Sequence, residues 1–136
     1  MLTEPCHVIR AEEMYEGKQR TRFFAGIAAG TVGAQRICMH RVTIPAGARG
    51  EIHVHEQHES ALYILSGRSL TLYGDELQFE AVAVAGDFLY IPAGMPHCSV
   101  NLQDFEPVEG VLARTDPNEQ ESVVLRPDLE RFLPWT

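Results

Sequence analysis

Turn residues interrupt this chain so often that a long helix has no room to form. The stretches PAGARG (45–50), SGR (66–68), YGDE (73–76), AGD (85–87), PAGMP (92–96) and TDPNE (115–119) are built from glycine, proline, serine, asparagine and aspartate, which preset or free the backbone at turns. Between them lie short runs rich in β-branched and aromatic residues. These predict strands at 22–28, 34–44, 51–54, 61–65, 69–74, 78–84, 87–91, 97–101, 108–114 and 122–124. Strands of this length, spaced roughly 8–12 residues apart, describe an all-β sandwich or barrel. Brief helical turns are expected at 12–19 and 127–132. No linker, repeat or low-complexity tract divides the chain, so one domain over 1–136 is expected.

Charge narrows the partners. The net charge is −8, and the 11 basic residues form no run, so a phosphate backbone has no basic surface to bind and no nucleic acid is expected. No apolar stretch reaches the roughly 18 residues a membrane-spanning helix needs. The first residues, MLTEPCHVIRAEEMYEGK, lack the charged-then-apolar pattern of a secretory leader. The three cysteines, Cys6, Cys38 and Cys98, are odd in number and widely spaced, which predicts reduced thiols and a cytoplasmic location.

The six histidines are unevenly placed. Five lie between His40 and His97, and His53 and His55 stand one residue apart within a predicted strand. Strand side chains alternate with period two, so these two share a face, and a third nitrogen from a distant strand can close a metal site on them. The bland counterpart is a metal-free barrel whose histidines are hydrogen-bonded lumen residues.

Two segments carry a family resemblance. Residues 47–67 read Gly47-x5-His53-x-His55-x3-Glu59-x7-Gly67, similar to the first motif of the cupin family, in which six residues usually separate the carboxylate from the last glycine. Residues 86–101 read Gly86-x5-Pro92-x-Gly94-x2-His97-x3-Asn101, which resembles the second cupin motif without departure. The resemblance implies a double-stranded β-helix, or jelly-roll barrel, with one metal ion in its lumen. Its ligands would be His53, His55, His97 and a carboxylate. Imidazole with carboxylate suits Fe, Mn, Zn, Ni or Co without choosing among them.

The fourth ligand stays open. Counted back from Gly67, the usual carboxylate position holds Ser60, and Glu59 sits one residue early. Alternation puts Ser60 and His58 toward the lumen and Glu59 away from it. A bulge near 59–61 would return Glu59 to the site. Without one, His58 completes a four-histidine set, or water completes a three-histidine site.

Other residues have both a functional and an ordinary role. His40 shares parity with Val42 and Ile44 and is a candidate second-layer donor, or simply a buried sheet residue. Arg36, Arg41 and Arg49 are candidates for gripping a substrate carboxylate, or sheet-edge charges. Tyr63, Tyr73, Tyr90, Phe88 and Met39 are lumen or packing candidates. Cys98 follows His97 and should face the opposite side, which argues against thiol catalysis. The family resemblance also suggests that the tail, with Phe132, Leu133 and Trp135, packs on a partner subunit. The expected function is a metal-dependent enzyme acting on a small organic molecule, either dioxygenase-like or a Lewis-acid isomerase or decarboxylase. The alternative is a non-catalytic module that binds or senses a sugar or organic acid. Exposed sheet edges invite covering by a second copy, so a homodimer is expected.

Overall fold

Inside-outside alternation is most regular in the two strands that flank the lumen. Cys38, His40, Val42 and Ile44 are buried on one, and Val108, Gly110, Leu112 and Arg114 on the other, with more exposed residues between them. A period of two with one covered face is what an antiparallel sheet over a core requires. The computed structural model describes residues 6–10, 14–16, 22–118 and 122–135. Its elements are β1 (Met14–Glu16), β2 (Arg22–Ile27), α1 (Ala29–Val32), β3 (Cys38–Ile44), β4 (His53–His55), β5 (Ser60–Ser66), β6 (Arg68–Tyr73), β7 (Phe79–Val84), β8 (Phe88–Ile91), β9 (His97–Val100), β10 (Val108–Arg114), β11 (Val123–Leu125) and a 3-10 helix (Pro127–Phe132).

Two sheets face each other. One has the order β1-β2-β3-β10-β5-β8 and the other β11-β4-β9-β6-β7; their pairings are antiparallel. Consecutive strands such as β4 and β5 sit in different sheets, the winding of a double-stranded β-helix. Phe23, Val42 and Leu112 pack in one buried group and Ile44, Ile64, Ala83 and Val108 in another. Gly67 turns β5 into β6 at φ 84°, where a Cβ would also meet the Pro107 carbonyl oxygen at 2.5 Å, so only glycine fits.

Several expectations need correction. Residues 14–16 form β1 paired with β2, not a helical turn; the remainder of that stretch (12–13 and 17–19) lies outside the described residues. The strand expected from 34 begins at Cys38, and a short helix occupies Ala29–Val32, where Thr31 Oγ accepts the Ala28 N–H at 2.9 Å. The turn expected at 127–132 is the 3-10 helix. Within the chain, Leu129 and Leu133 are buried against Ile52, Leu72, Leu77, Cys98 and Val100, with Phe132 packed beside them, while Trp135 stays exposed. Arg49 holds this helix through Nη2, which donates to both Glu130 carboxylate oxygens at 3.1 Å.

Asn101, the last residue of the second motif, is fully buried and ties three segments together. Its amide donates to the carbonyls of Ile44 (3.1 Å) and Glu106 (2.7 Å), and its oxygen accepts the Gln103 N–H (3.1 Å). Asn101→Leu strands these groups in a dry interior, at about 1–3 kcal/mol for each one left unsatisfied. We expect the urea midpoint to drop by the equivalent of about 3 kcal/mol with an unchanged m-value. A midpoint within error of the parent would show that Asn101 is not a structural tie.

Candidate metal centre

Strands β4 and β9 lie side by side with His53 opposite His97, and alternation sets His55 on the face of His53. Ring centroids are 4.3 Å apart for His53 and His97, 5.0 Å for His53 and His55, and 6.1 Å for His55 and His97. One ring nitrogen from each lies within 4.8 Å of the other two. All three side chains are buried.

Each ring is anchored at Nδ1. That atom donates to the Glu51 carbonyl from His53 (2.8 Å) and to the Met95 carbonyl from His97 (2.9 Å), and it bonds the Ser122 hydroxyl in His55 (3.1 Å). A carbonyl only accepts, so in His53 and His97 the proton sits on Nδ1 and the lone pair on Nε2. In His55, Nε2 is buried and has no hydrogen-bond partner. Three neutral imidazoles held by a second layer of hydrogen bonds make up the donor set of a metal-binding histidine cluster. Burial is the main reason all three resist protonation: His97 is pulled down to about 4 and His55 to about 3, with Arg114 adding to both, and His53 lies well below the usual imidazole range, aided by His97. The cluster could hold a metal ion.

A cavity of about 50 Å³ adjoins the cluster, lined by His53, His97, Ser60, Ser99 and Arg114, with an apolar wall that includes Phe23, Val42, Leu62 and Leu112. A wider groove of about 250 Å³, lined by Tyr73, Leu89, Pro92 and Met95 among others, shares Ile91 with it.

The structure brings together three of the five sequence-derived ligand candidates and leaves two outside. Glu59 is exposed; its carboxylate accepts the Tyr90 hydroxyl at 2.6 Å. The bulge that would have turned it inward is not at 59–61. There β5 pairs in continuous register, Ser60 with Arg114 through Tyr63 with Val111, and Ser60 with Ile91 on its other side. The register shift falls between Glu109 and Gly110, opposite Leu65. Ser60 therefore faces the lumen, as alternation indicated. His58, half-buried, turns toward Asp116, with Nε2 3.7 Å from the carboxylate Oδ2, and lines a separate pocket with Glu56, Gln57 and Ser122.

His40 is a sheet residue. Its Nδ1 accepts the Gly26 N–H at 3.0 Å, tying β2 to β3 where their register shifts. None of the three candidate arginines lines the cavity: Arg49 holds Glu130, Arg41 reaches Glu109 at the surface, and Arg36 is exposed. Tyr63, Phe88, Tyr90 and Met39 are on the outside, and Tyr73 packs on Phe79. Cys98 points away from the histidines into the core, where burial lifts its thiol to about 11. Arg114 was missed, although it shares the parity of Leu112 and Val108. Ser122 was missed too, and nothing in the sequence signals its bond to His55.

Comparisons with known proteins agree with this geometry. A family model described as a cupin domain matches residues 40–113, more than half of the chain. The chain belongs to the cupin family. No curated protein sequence matches it significantly. Among solved structures, the polyketide cyclase RemF from Streptomyces resistomycificus superposes with a TM-score of 0.68 at 19% identity, covering 91% of this chain and 89% of that one. A predicted oxalate decarboxylase from Thermotoga maritima gives 0.65 at 18% identity, covering 80% and 98%. A Bacillus halodurans protein gives 0.57 at 22% identity over 61% of this chain and 64% of its own length. Identities this low show the shared fold.

The buried imidazoles make a pH prediction for the metal-free protein. In the unfolded chain a histidine takes a proton near 6.5. In the folded chain His97 does so near 4 and His55 near 3. The unfolded state thus binds more protons across that interval, and stability falls as pH drops through it. Thermal melts should show a falling midpoint from pH 6.5 downward, with a smaller slope in His97→Gln. Parallel slopes for parent and variant would contradict the burial account.

Proposed function

We propose that this chain is a metal-dependent enzyme acting on a small organic molecule, with the ion held by Nε2 of His53, His55 and His97. The observation that carries the reading is the convergence of one nitrogen from each of three buried rings to within 4.8 Å, with every Nδ1 held by a hydrogen bond. Three protein ligands leave open positions for water, O2 or substrate, as a catalytic site requires. Fe, Mn, Zn, Ni or Co would supply either Lewis acidity or O2 activation there. The chain's own residues hold the ion, and the apolar wall keeps bulk water from it. No carboxyl group or further histidine lines the cavity among the described residues, so chemistry that needs no separate protein base, of the dioxygenase type, fits this lining better than isomerisation.

The same lining favours a second reading, a binding module for a sugar or organic acid without turnover. Neighbouring folds carry names as different as polyketide cyclase, oxalate decarboxylase and sugar phosphate isomerase, so the fold does not choose a substrate. We read the chain as one domain over 1–136. The free thiols Cys6, Cys38 and Cys98 support a cytoplasmic setting. Apolar side chains exposed on the outer sheet face, Phe88 and Tyr63 in a tilted ring contact at 4.8 Å and Tyr90 exposed on the same strand as Phe88, support a homodimer.

Elemental analysis of protein purified without a histidine tag tests the metal site. We expect close to one ion per chain in the parent, loss of most of it in His53→Ala, His55→Ala or His97→Ala, and retention in Glu59→Ala and His58→Ala. Retention by folded His97→Ala, or loss in Glu59→Ala, would refute the three-histidine assignment. Turnover of catechols, β-diketones, keto acids or sugars under Fe(II) or Mn(II) loading supports an enzyme; saturable binding without product supports the binding module.

A further inference from the structure

Just beyond the end of β10, a buried carboxylate has one oxygen bonded and the other not. Asp116 is only 4% exposed. Its Oδ1 accepts the Asn118 N–H at 2.9 Å, while Oδ2 is buried without a hydrogen-bond partner. His58 Nε2 stands 3.7 Å from Oδ2, beyond hydrogen-bond reach. Both side chains line a pocket of about 290 Å³, and Glu56 and Ser122 line it too. The segments that carry His58 and Asp116 are tied together. The Glu59 N–H donates to the Thr115 hydroxyl at 3.1 Å, and the Thr115 N–H donates to the Glu59 carbonyl at 3.2 Å. The fold therefore holds the imidazole and the carboxylate at their spacing.

A carboxylate taken out of water is stable when a cation or a set of donors replaces its hydration. Here Oδ2 lacks such a donor, and the atom that faces it is a ring nitrogen. Metal bonds to nitrogen and oxygen are about 2.0–2.2 Å long, which sets two ligands of one ion roughly 3.0–3.6 Å apart. A separation of 3.7 Å needs only a small adjustment to meet that. Glu56 adds a second carboxylate to the pocket wall from an exposed position. Among the described residues no third histidine, cysteine or acidic donor stands at ligand spacing to this pair. Water, or Glu56 swinging inward, fills the rest of the shell.

We propose that His58 and Asp116, assisted by Glu56, form a second divalent-metal site, separate from the three-histidine cluster. Carboxylate and water oxygens with a single imidazole suit a harder ion such as Mn(II). Two fixed protein donors bind more weakly than three, so this site fills after the histidine cluster. Protein that carries one ion per chain keeps it on the cluster, and His58→Ala leaves that ion in place. An ion bound here joins the loop at 56–58 to the turn that follows β10. It also shares a wall with the first site, because the Ser122 hydroxyl in this pocket bonds His55 Nδ1.

The test starts from protein loaded with one equivalent of Zn(II), which outranks Mn(II) at nitrogen-rich sites. Mn(II) is then added while electron paramagnetic resonance counts the free ion. The expected result is one further saturable Mn(II) site per chain, with no Zn(II) released. The thermal midpoint should rise with added Mn(II), as binding to the folded state alone requires. Asp116→Asn keeps the oxygen that accepts the Asn118 N–H and should weaken Mn(II) binding roughly tenfold or more, since a charged ligand is removed. His58→Ala should do the same and Glu56→Gln should lose less, with Zn(II) retained in all three. Absence of saturable Mn(II) binding to the Zn(II)-loaded parent overturns the proposal and leaves the pair as a protonated His58 beside Asp116. Undiminished binding in folded Asp116→Asn or His58→Ala overturns it too. Mn(II) binding that is lost in Asp116→Asn supports this site even in a parent that fails to hold Zn(II) on the histidine cluster.

Discussion

The register between β5 and β10 decides what the lumen contains. Ser60 faces Arg114, Ala61 faces Ala113 and Leu62 faces Leu112 in continuous antiparallel pairing, so with period two every second side chain is committed inward. A slip of one residue would bring Glu59 to the cavity and expel Ser60. It would also turn Ile64 out of the core, where it packs with Ile44, Ala83 and Val108. Burying Ile64 is worth about 2 kcal/mol by transfer, and turning it out would also open a void. The core thus fixes the chemistry of the site, and the extra residue of the first motif is absorbed at the opposite end of the strand, beside Leu65.

From that register follow the site's electrostatics. β4 and β9 deliver three imidazoles whose Nδ1 atoms are spent on two backbone carbonyls and a hydroxyl. Their orientation, and in His53 and His97 the tautomer, are therefore set by the fold before any ion arrives, which lowers the reorganisation needed to bind one. Burial keeps them neutral at physiological pH, so no proton competes for Nε2. Arg114 reinforces that neutrality through its charge.

Much of this was legible in the sequence, because strand period and turn chemistry are local. The gap between His53 and His55 placed both on one face, the second motif placed His97 after a rigid PAGMP turn, and alternation placed Ser60 toward the lumen and Cys98 on the side opposite His97. The missing parts are non-local. Whether Glu59 could reach the site depended on where β5 absorbed its extra residue, which only the partner strand reveals. Arg114 lies 54 residues from Ser60 and resembles any charge at a strand end until its neighbours are known. His58 finds Asp116 and His55 finds Ser122 across similar separations. That Leu133 of the tail is buried within the chain, over Leu72 and Cys98, shows only when those strands are seen beneath it.

The central claim is a metal centre with three imidazole ligands and no carboxylate from the protein. X-ray absorption at the metal edge of Co(II)- or Zn(II)-loaded parent protein, compared with Glu59→Ala and His58→Ala, reads the coordination shell directly. The account predicts three imidazoles per ion, with the remaining ligands from solvent or added anion, and the same spectrum in both variants. A fourth imidazole that disappears in His58→Ala, or a shell that changes in Glu59→Ala, would contradict it.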